Sequence, residues 1–233
     1  MKTKIISTIG PASLEKIILK QLVENDINII RINSAYGDYD QYKTILSNLS
    51  EVDTQSKVDI MFDIKGEKKL VFCKENQIDF IAVSFAETKE QIENVRSKLP
   101  EVKVISKIES VKGVENYEEI LKVSDGLMVA RGDLSTAVTI EKVPVLQKKF
   151  TKIAISKNKF VIAATEMLLS MTENPYPTNA EVSDVANAVF DGVGAVMLSE
   201  ETAIGKYPVE SVIMMRKVIE EAEKSLEDIE NIQ

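Results

Sequence analysis

Eight short apolar segments, each followed by helical sequence, set the strongest limit on how this chain can fold. Alternating strands and helices predict parallel strands, and eight such strands predict a single closed (β/α)₈ barrel, the TIM barrel. An open doubly wound sheet is the alternative, but no glycine-rich dinucleotide motif follows the first segment. The predicted strands are 4–9, 28–33, 58–63, 79–85, 102–107, 126–130, 160–165 and 195–199. The predicted helices are 14–24, 40–49, 88–98, 114–122, 143–157, 180–190 and 209–229, with a short, weakly helical stretch at 70–77. Ser13 and Thr178 are the expected N-caps of the helices at 14–24 and 180–190.

Two neighbouring strands of this barrel run directly into charged residues. Lys107 ends the fifth strand, Glu109 comes two residues later, and Asp133 follows the sixth strand. Because side chains alternate along a strand, Lys107 and Glu109 should lie on the same side, with Asp133 arriving beside them. One ammonium and two carboxylates suit a hard divalent cation and an anionic oxygen substrate. We therefore predict Mg²⁺ or Mn²⁺, held by Glu109 and Asp133, and a structural Lys107–Glu109 salt bridge is the competing interpretation.

Polar residues also follow the other strands, at the end where a barrel carries its active site. Strand ends are often polar simply because they meet water, but this set is larger than stability requires. The backbone N–H groups of Gly132 and Asp133 could hold a carboxylate. The Thr165 hydroxyl could relay a proton, or it could only bond a neighbouring strand. The set comprises Arg31, Asn33, Asp63, Lys65, Ser84, Lys107, Glu109, Asp133, Thr165, Ser199 and Glu201.

The composition narrows the chemistry further. The 233 residues include no histidine, so histidine triads, histidine zinc sites and histidine bases are excluded. A single cysteine cannot form an internal disulfide, which predicts a reducing, cytoplasmic location. The net charge of -8 argues against nucleic acid and anionic membranes as partners. No apolar run approaches the roughly 20 residues that span a bilayer.

The longest motifs resemble the catalytic barrel of the pyruvate kinase family, and the resemblance covers nearly the whole chain. It implies a single pyruvate kinase-like barrel domain over residues 1–233, of the phosphoenolpyruvate/pyruvate type. The family transfers a phosphoryl group between phosphoenolpyruvate and ADP. The most specific motifs are ISKIE (105–109), SDGLMVARGDL (124–134), AATEML (163–168), PTNAEVSDVANAV (177–189) and MLSEETA (197–203).

This resemblance implies roles for particular residues. Lys107, Thr165 and Arg31 would be catalytic: Lys107 would stabilise the transferring phosphoryl group and the enolate, and Thr165 would belong to the route that protonates the enolate. Arg31 would face the phosphate. Glu109 and Asp133 would hold the divalent metal. The substrate would be bound by Gly132, Asp133, Thr165, Asn33 and Ser199.

The chain also departs from the family pattern. The lid domain that the family inserts after the third strand is expected to be missing between about residues 66 and 79, and the carboxyl-terminal regulatory domain is expected to be absent. Leu70 replaces an arginine on the nucleotide side. Glu166 and Glu200 replace a glutamine and a glycine near the carboxyl end of the barrel.

The monovalent-cation region of the family is degenerate here. It comprises Asn33, Asp63 and Lys68, while Ala35 and Ile64 replace two hydroxyl ligands of potassium. Lys68 stands where potassium-independent members place a lysine. A fixed ammonium would therefore substitute for the ion, and K⁺ is expected not to be required.

Three functions are consistent with this pattern. The first is a metal-dependent enzyme that acts on phosphoenolpyruvate, pyruvate or a related 2-oxo acid through an enolate, with nucleotide-dependent transfer disfavoured because the lid is missing. The second is a minimal pyruvate kinase that uses ADP. The third is a non-catalytic module that binds a metabolite or a protein partner. A small-molecule substrate is expected, and a homo-oligomer or a partner protein is left open.

Overall fold

The computed structural model describes residues 2–53, 55 and 57–230, with 229 and 230 described by their backbone alone. These residues form a closed barrel of eight parallel strands, in which each strand pairs with the next and the last pairs with the first. This confirms the predicted (β/α)₈ barrel. The strands are Lys4–Thr8 (β1), Ile29–Asn33 (β2), Asp59–Ile64 (β3), Phe80–Val83 (β4), Lys103–Ile108 (β5), Gly126–Ala130 (β6), Phe160–Ala164 (β7) and Ala195–Leu198 (β8).

Helices surround the barrel and connect its strands. Two short helices that the sequence did not predict follow β6 and β8, and they begin at Arg131 and Glu200. Among the described residues, no helix is both long and apolar enough to cross a membrane. The helices are Lys16–Glu24 (α1), Tyr39–Val52 (α2), Leu70–Glu75 (α3), Lys89–Lys98 (α4), Val111–Val123 (α5), Arg131–Ala137 (α6), Val143–Ser156 (α7), Asn179–Phe190 (α8), Glu200–Ala203 (α9) and Pro208–Glu230 (α10).

The core has two layers because both faces of every strand are buried. One set of alternating residues packs outward against the helices, and the other fills the barrel interior. At the amino end of the interior, Lys4 Nζ pairs with Asp59 Oδ2 at 3.3 Å. The interior apolar residues include Ile6, Ile29, Met61, Ala82, Ile105, Met128, Ile162, Ala164, Ala195 and Met197.

Local sequence explains several helix ends. Thr178 caps α8 as predicted, and Glu181 bonds back to it in a capping box. Ser13, by contrast, does not cap α1, so that prediction was wrong. The cap position is Glu15, and the Ser13 hydroxyl accepts a hydrogen bond from the Gly10 backbone N–H at 3.3 Å. The Gly10–Ser13 turn therefore uses the side chain that a helix would otherwise have used.

Replacing Thr178 by alanine should lower the free energy of unfolding by about 1 kcal/mol, because the Glu181 backbone N–H loses the hydroxyl that satisfies it. Urea denaturation measures the change. Thr44→Ala is the matched control, since that exposed hydroxyl only donates to the Asp40 carbonyl within α2. Equal losses of stability in the two variants would contradict the capping role.

Candidate active site

Five polar side chains meet at the carboxyl end of the barrel interior. Each lies two residues beyond an interior apolar residue, so strand alternation turns it toward the barrel axis. The apolar residues below them fill the barrel interior. This end of the barrel is therefore a charged opening, the mouth, above a layer of apolar side chains. The five are Thr8, Arg31, Asp63, Ser84 and Lys107.

Asp63 is the centre of this group. Its Oδ2 accepts hydrogen bonds from Arg31 Nε at 3.0 Å and Nη2 at 2.7 Å, and its Oδ1 accepts one from Ser84 Oγ at 2.8 Å. Lys107 Nζ lies 2.9 Å from Oδ2. Burial by itself would raise the pKa of this carboxyl, but the charges of Arg31 and Lys107 outweigh burial and hold the pKa below its usual value. Asp63 is therefore an ionised anchor for two cations.

Lys107 connects Asp63 with Glu109. Its Nζ lies 2.8 Å from Glu109 Oε1 and donates to Ser84 Oγ at 3.2 Å. The sequence prediction that Lys107 and Glu109 lie on the same side is thus confirmed, and so is the salt bridge between them. The second carboxylate in contact with the ammonium is Asp63, whereas the sequence had suggested Asp133.

Glu109 is fully buried but only half satisfied. Its Oε2 accepts a hydrogen bond at 2.7 Å from the backbone N–H of Phe85, which lies two residues after the end of β4 and has φ 50°. Its Oε1 has an ion-pair contact with Lys107 but no hydrogen bond of acceptable geometry. Burial raises the pKa of this carboxyl, and Lys107 and the Phe85 N–H offset only part of that effect. Glu109 Oε1 is thus held only through its ion pair with the Lys107 ammonium.

Thr165 and Gly132 come together on the far side of the mouth. The Gly132 backbone N–H donates to Thr165 Oγ1 at 2.8 Å, and this hydroxyl donates to the Ala164 carbonyl at 2.6 Å. The N–H that was predicted to hold a ligand carboxylate is therefore paired with the Thr165 hydroxyl in this structure. The Asp133 side chain is exposed and has no hydrogen bond or ion pair with the part of the chain that the structure describes.

The remaining predicted residues, Ser199, Asn33 and Lys68, differ in whether their side chains have partners. The Ser199 hydroxyl is buried and has no partner among the described residues. Asn33 Oδ1 accepts a hydrogen bond from the Ala35 N–H at 3.1 Å. Lys68 is exposed in the turn after β3, and no ion pair joins it to Asp63 or to any other described residue. Asn33 and Asp63 are paired across β2 and β3, whereas Lys68 has no hydrogen bond or ion pair with either of them.

Glu201 has a role that sequence patterns did not specify. Its carboxylate is 0% exposed and accepts hydrogen bonds from the backbone N–H groups of Leu168 at 3.0 Å and Ser199 at 2.7 Å. Burial raises the pKa of this carboxyl. Glu201 ties the loop after β7 to the end of β8, so it supports the site and does not face it.

The donors available to a metal are few. In the described part of the chain, no three acidic or cysteine side chains form a ready-made metal cluster. Glu109 Oε1 contacts the Lys107 ammonium, and the Asp133 carboxylate has no hydrogen bond or ion pair with the described residues.

A closed barrel of eight parallel strands with a charged mouth at its carboxyl end defines this protein as a (β/α)₈ barrel. The family model described as "Pyruvate kinase, barrel domain" matches residues 1–71 and 65–212. The chain therefore belongs to the pyruvate kinase family, which confirms the resemblance seen in its motifs.

Three relatives illustrate the extent of the match. The pyruvate kinase of Thermotoga maritima is 49% identical over 162 residues, which cover 68% of this chain and 35% of the relative. That of Chlamydia muridarum is 47% identical over 178 residues, covering 73% and 37%. That of Bacillus licheniformis is 31% identical over 337 residues, covering 97% and 58%. The matched part thus corresponds to between about a third and three fifths of these relatives.

Proposed function

We propose that this chain is a divalent-metal-dependent, pyruvate kinase-like enzyme that acts on phosphoenolpyruvate, pyruvate or a related 2-oxo acid through an enolate. One observation carries the proposal: Lys107, Asp63 and Glu109 form a buried cation–anion cluster in which Glu109 Oε1 is held only by its ion pair with the Lys107 ammonium. A protein that served only as a scaffold would gain little from burying such a group, because breaking or desolvating buried charges is costly.

Glu109 and Asp133 are the proposed ligands of Mg²⁺ or Mn²⁺. Glu109 is held rigidly by the Phe85 N–H, while the Asp133 carboxylate is exposed and unpaired among the described residues. When bound, the ion would supply positive charge to the oxygens of the substrate. One fixed and one adaptable carboxylate suit an ion that must also accept substrate oxygens.

Lys107 is the proposed electrophilic group. Its side chain is 8% exposed, so its charge acts where little water can screen it. It would stabilise negative charge that develops on the substrate oxygen when the enolate forms. Arg31 donates to Asp63 and to Thr8 Oγ1 at 3.0 Å, so it also fixes the carboxylate that orients Lys107. A phosphate-binding role for Arg31 would require it to share or exchange these bonds.

The substrate would lie between this cluster and the loop that carries Thr165. In the proposal, Thr165 relays a proton to or from the methyl carbon. The backbone N–H groups of Gly132 and Asp133 bind the substrate carboxylate, for which the Gly132 N–H would exchange its bond to Thr165 Oγ1, and Asn33 binds a neighbouring oxygen. Ser199 offers a buried hydroxyl with no partner among the described residues, which a ligand oxygen could satisfy.

We further propose that the residues form one barrel domain and that the lid is replaced by a short connection. Gly66 turns the chain at φ 74°, and the Glu67 carboxylate bonds to Asn94 and Lys98 of α4. The alignment with the Bacillus licheniformis enzyme is longer than this chain, which supports an insertion in that relative. Without a lid, a nucleotide would be weakly held, so turnover without nucleotide is expected. Ala35 and Ile64 supply no hydroxyl ligand to K⁺ and Lys68 would substitute for the ion, so turnover without K⁺ is expected as well.

Exchange of the pyruvate methyl protons with D₂O, followed by NMR with and without Mn²⁺, tests the proposal. We expect metal-dependent exchange and no pyruvate from phosphoenolpyruvate and ADP in an assay coupled to lactate formation. Pyruvate formation in that assay would favour the minimal kinase instead. If neither reaction occurs and calorimetry detects no metal-dependent pyruvate binding, the proposal is rejected in favour of a non-catalytic module.

Replacing Asp133 by alanine should weaken Mn²⁺ binding by about tenfold or more, because one of two protein ligands is lost. Electron paramagnetic resonance of free Mn²⁺ measures this affinity without any assay of turnover. Glu166→Gln is the control, since it removes an exposed acidic charge next to Thr165. Unchanged affinity in Asp133→Ala, or an equal loss in the control, would count against Asp133 as a ligand.

A further inference from the structure

Two consecutive residues after β7 have an unusual backbone conformation. Thr165 has φ 68° and Glu166 has φ 54°, both in the left-handed region. For a β-branched residue this conformation is a genuine outlier, and it persists only where the surrounding structure holds it. The turn also determines where the Thr165 hydroxyl lies.

Arg131, the first residue of α6, directly follows the neighbouring strand β6 and contacts this turn. Its Nε and Nη2 donate to the Thr165 carbonyl at 3.0 and 2.6 Å, and Nη2 also donates to the Glu166 carbonyl at 2.9 Å. Its Nη1 donates to Asp184 of α8, and the arginine side chain is only 11% exposed. Every nitrogen of the guanidinium group is therefore used.

We infer that Arg131, oriented by Asp184, is a positioning residue for Thr165, an inference that rests on the proposed function. The next residue, Gly132, donates its backbone N–H to Thr165 Oγ1, so one short segment contacts both the carbonyl and the hydroxyl of the same threonine. Asp133, the proposed metal ligand, comes directly after. Arg131 thus fixes the threonine hydroxyl relative to the segment that holds the metal.

The planar guanidinium is essential to this arrangement. It contacts two carbonyls on one side and a carboxylate on the other, a geometry that a lysine ammonium cannot reproduce. Loss of these bonds should let the turn relax toward ordinary backbone angles. The Thr165 hydroxyl would then leave its position, although no group that touches substrate has been altered.

The test compares Arg131→Lys with Arg96→Lys. Arg96 is a matched control because its Nε donates to the Val123 carbonyl at 2.6 Å and its Nη2 pairs with Asp125, at the opposite end of the barrel. Backbone ¹³C chemical shifts of Thr165 and Glu166 report their φ angles without any assay of turnover. Methyl-proton exchange of pyruvate supplies kcat and KM.

In Arg131→Lys, the ¹³C chemical shifts of Thr165 and Glu166 should no longer be those of residues with positive φ. We expect kcat to fall about 100-fold and KM to change less than about threefold. Arg96→Lys should change neither quantity beyond its effect on stability. Added to Thr165→Ala, Arg131→Lys should give no further loss of kcat, because both changes remove the same hydroxyl position. Asp184→Asn retains the arginine and should cause a smaller fall in kcat and a smaller change in the chemical shifts of Thr165 and Glu166. This variant replaces Arg131→Lys in the test if Arg131→Lys does not fold.

The inference would be overturned if Thr165 and Glu166 kept the ¹³C chemical shifts of residues with positive φ in both Arg131→Lys and Asp184→Asn. A fall in kcat that simply adds to that of Thr165→Ala would also overturn it. If the unmodified protein shows no exchange, the proposed function fails, but the chemical shifts still decide whether Arg131 holds the turn.

Discussion

Replacing Lys107 by methionine should lower pyruvate methyl-proton exchange by about 10³-fold or more, while Mn²⁺ still binds measurably. The ammonium lies between Asp63 and Glu109, and it is the group proposed to stabilise charge on a substrate oxygen. Methionine keeps most of the aliphatic volume of the side chain and removes the charge. Asp63 retains its two hydrogen bonds from Arg31, so the fold should survive. NMR exchange and Mn²⁺ titration together separate the two effects.

Lys103→Met is the matched control for this prediction. Lys103 lies on the same strand, β5, but at its opposite end, where its ammonium lies 5.1 Å from the centre of the Phe80 ring. Exchange should be nearly unchanged in this variant. Full activity in Lys107→Met, or an equal loss in both variants, would refute the assigned role of Lys107.

The strands were the most predictable part of the fold. The segment predicted at 58–63 is observed at Asp59–Ile64, and those at 102–107 and 126–130 agree equally well. Strands buried on both faces must be apolar throughout, so their sequence signal is strong. The short helix α6 was missed because it contains glycine, serine and threonine, and its stability comes from contacts such as those of Arg131.

The candidate site was predictable along one strand and less so across strands. The spacing of Lys107 and Glu109 places both on one side by strand alternation alone. The contact of Lys107 with Asp63 depends on the stagger of β3, β4 and β5, in which Asp63 is level with Ala82 and Ala82 with Ile105. No local pattern encodes that stagger.

The left-handed conformations of Phe85 and Thr165 could not be predicted from the sequence. Phe85 and Thr165 are not residues that favour positive φ, and each is held there by bonds to distant groups. In both cases the unusual angle directs a site group: the Phe85 N–H toward Glu109, and the Thr165 hydroxyl toward Gly132. Such positions are where local preference is expected to fail, because function overrides it.

Replacing Asp63 by asparagine should lower the free energy of unfolding by about 3–5 kcal/mol near neutral pH, measured in urea without divalent cations. The change leaves Arg31 and Lys107 buried with no full negative charge between them. Asp59→Asn is the matched control on the same strand. Its ion pair with Lys4 is partly exposed, so the expected loss is under about 1 kcal/mol.

Lowering the pH should reduce the difference in the free energy of unfolding between the unmodified protein and Asp63→Asn. Because the pKa of Asp63 is lower in the folded protein, its contribution is present above the unfolded carboxyl pKa of about 3.9 and is lost as the pH falls through the folded value. Glu109 behaves in the opposite sense. Its raised pKa gives a contribution that is present below its unfolded pKa and is lost as the pH rises through its folded value. A stability difference that stays constant into acid would mean that the Asp63 charge does not hold the two cations, because an asparagine could then replace it at any pH.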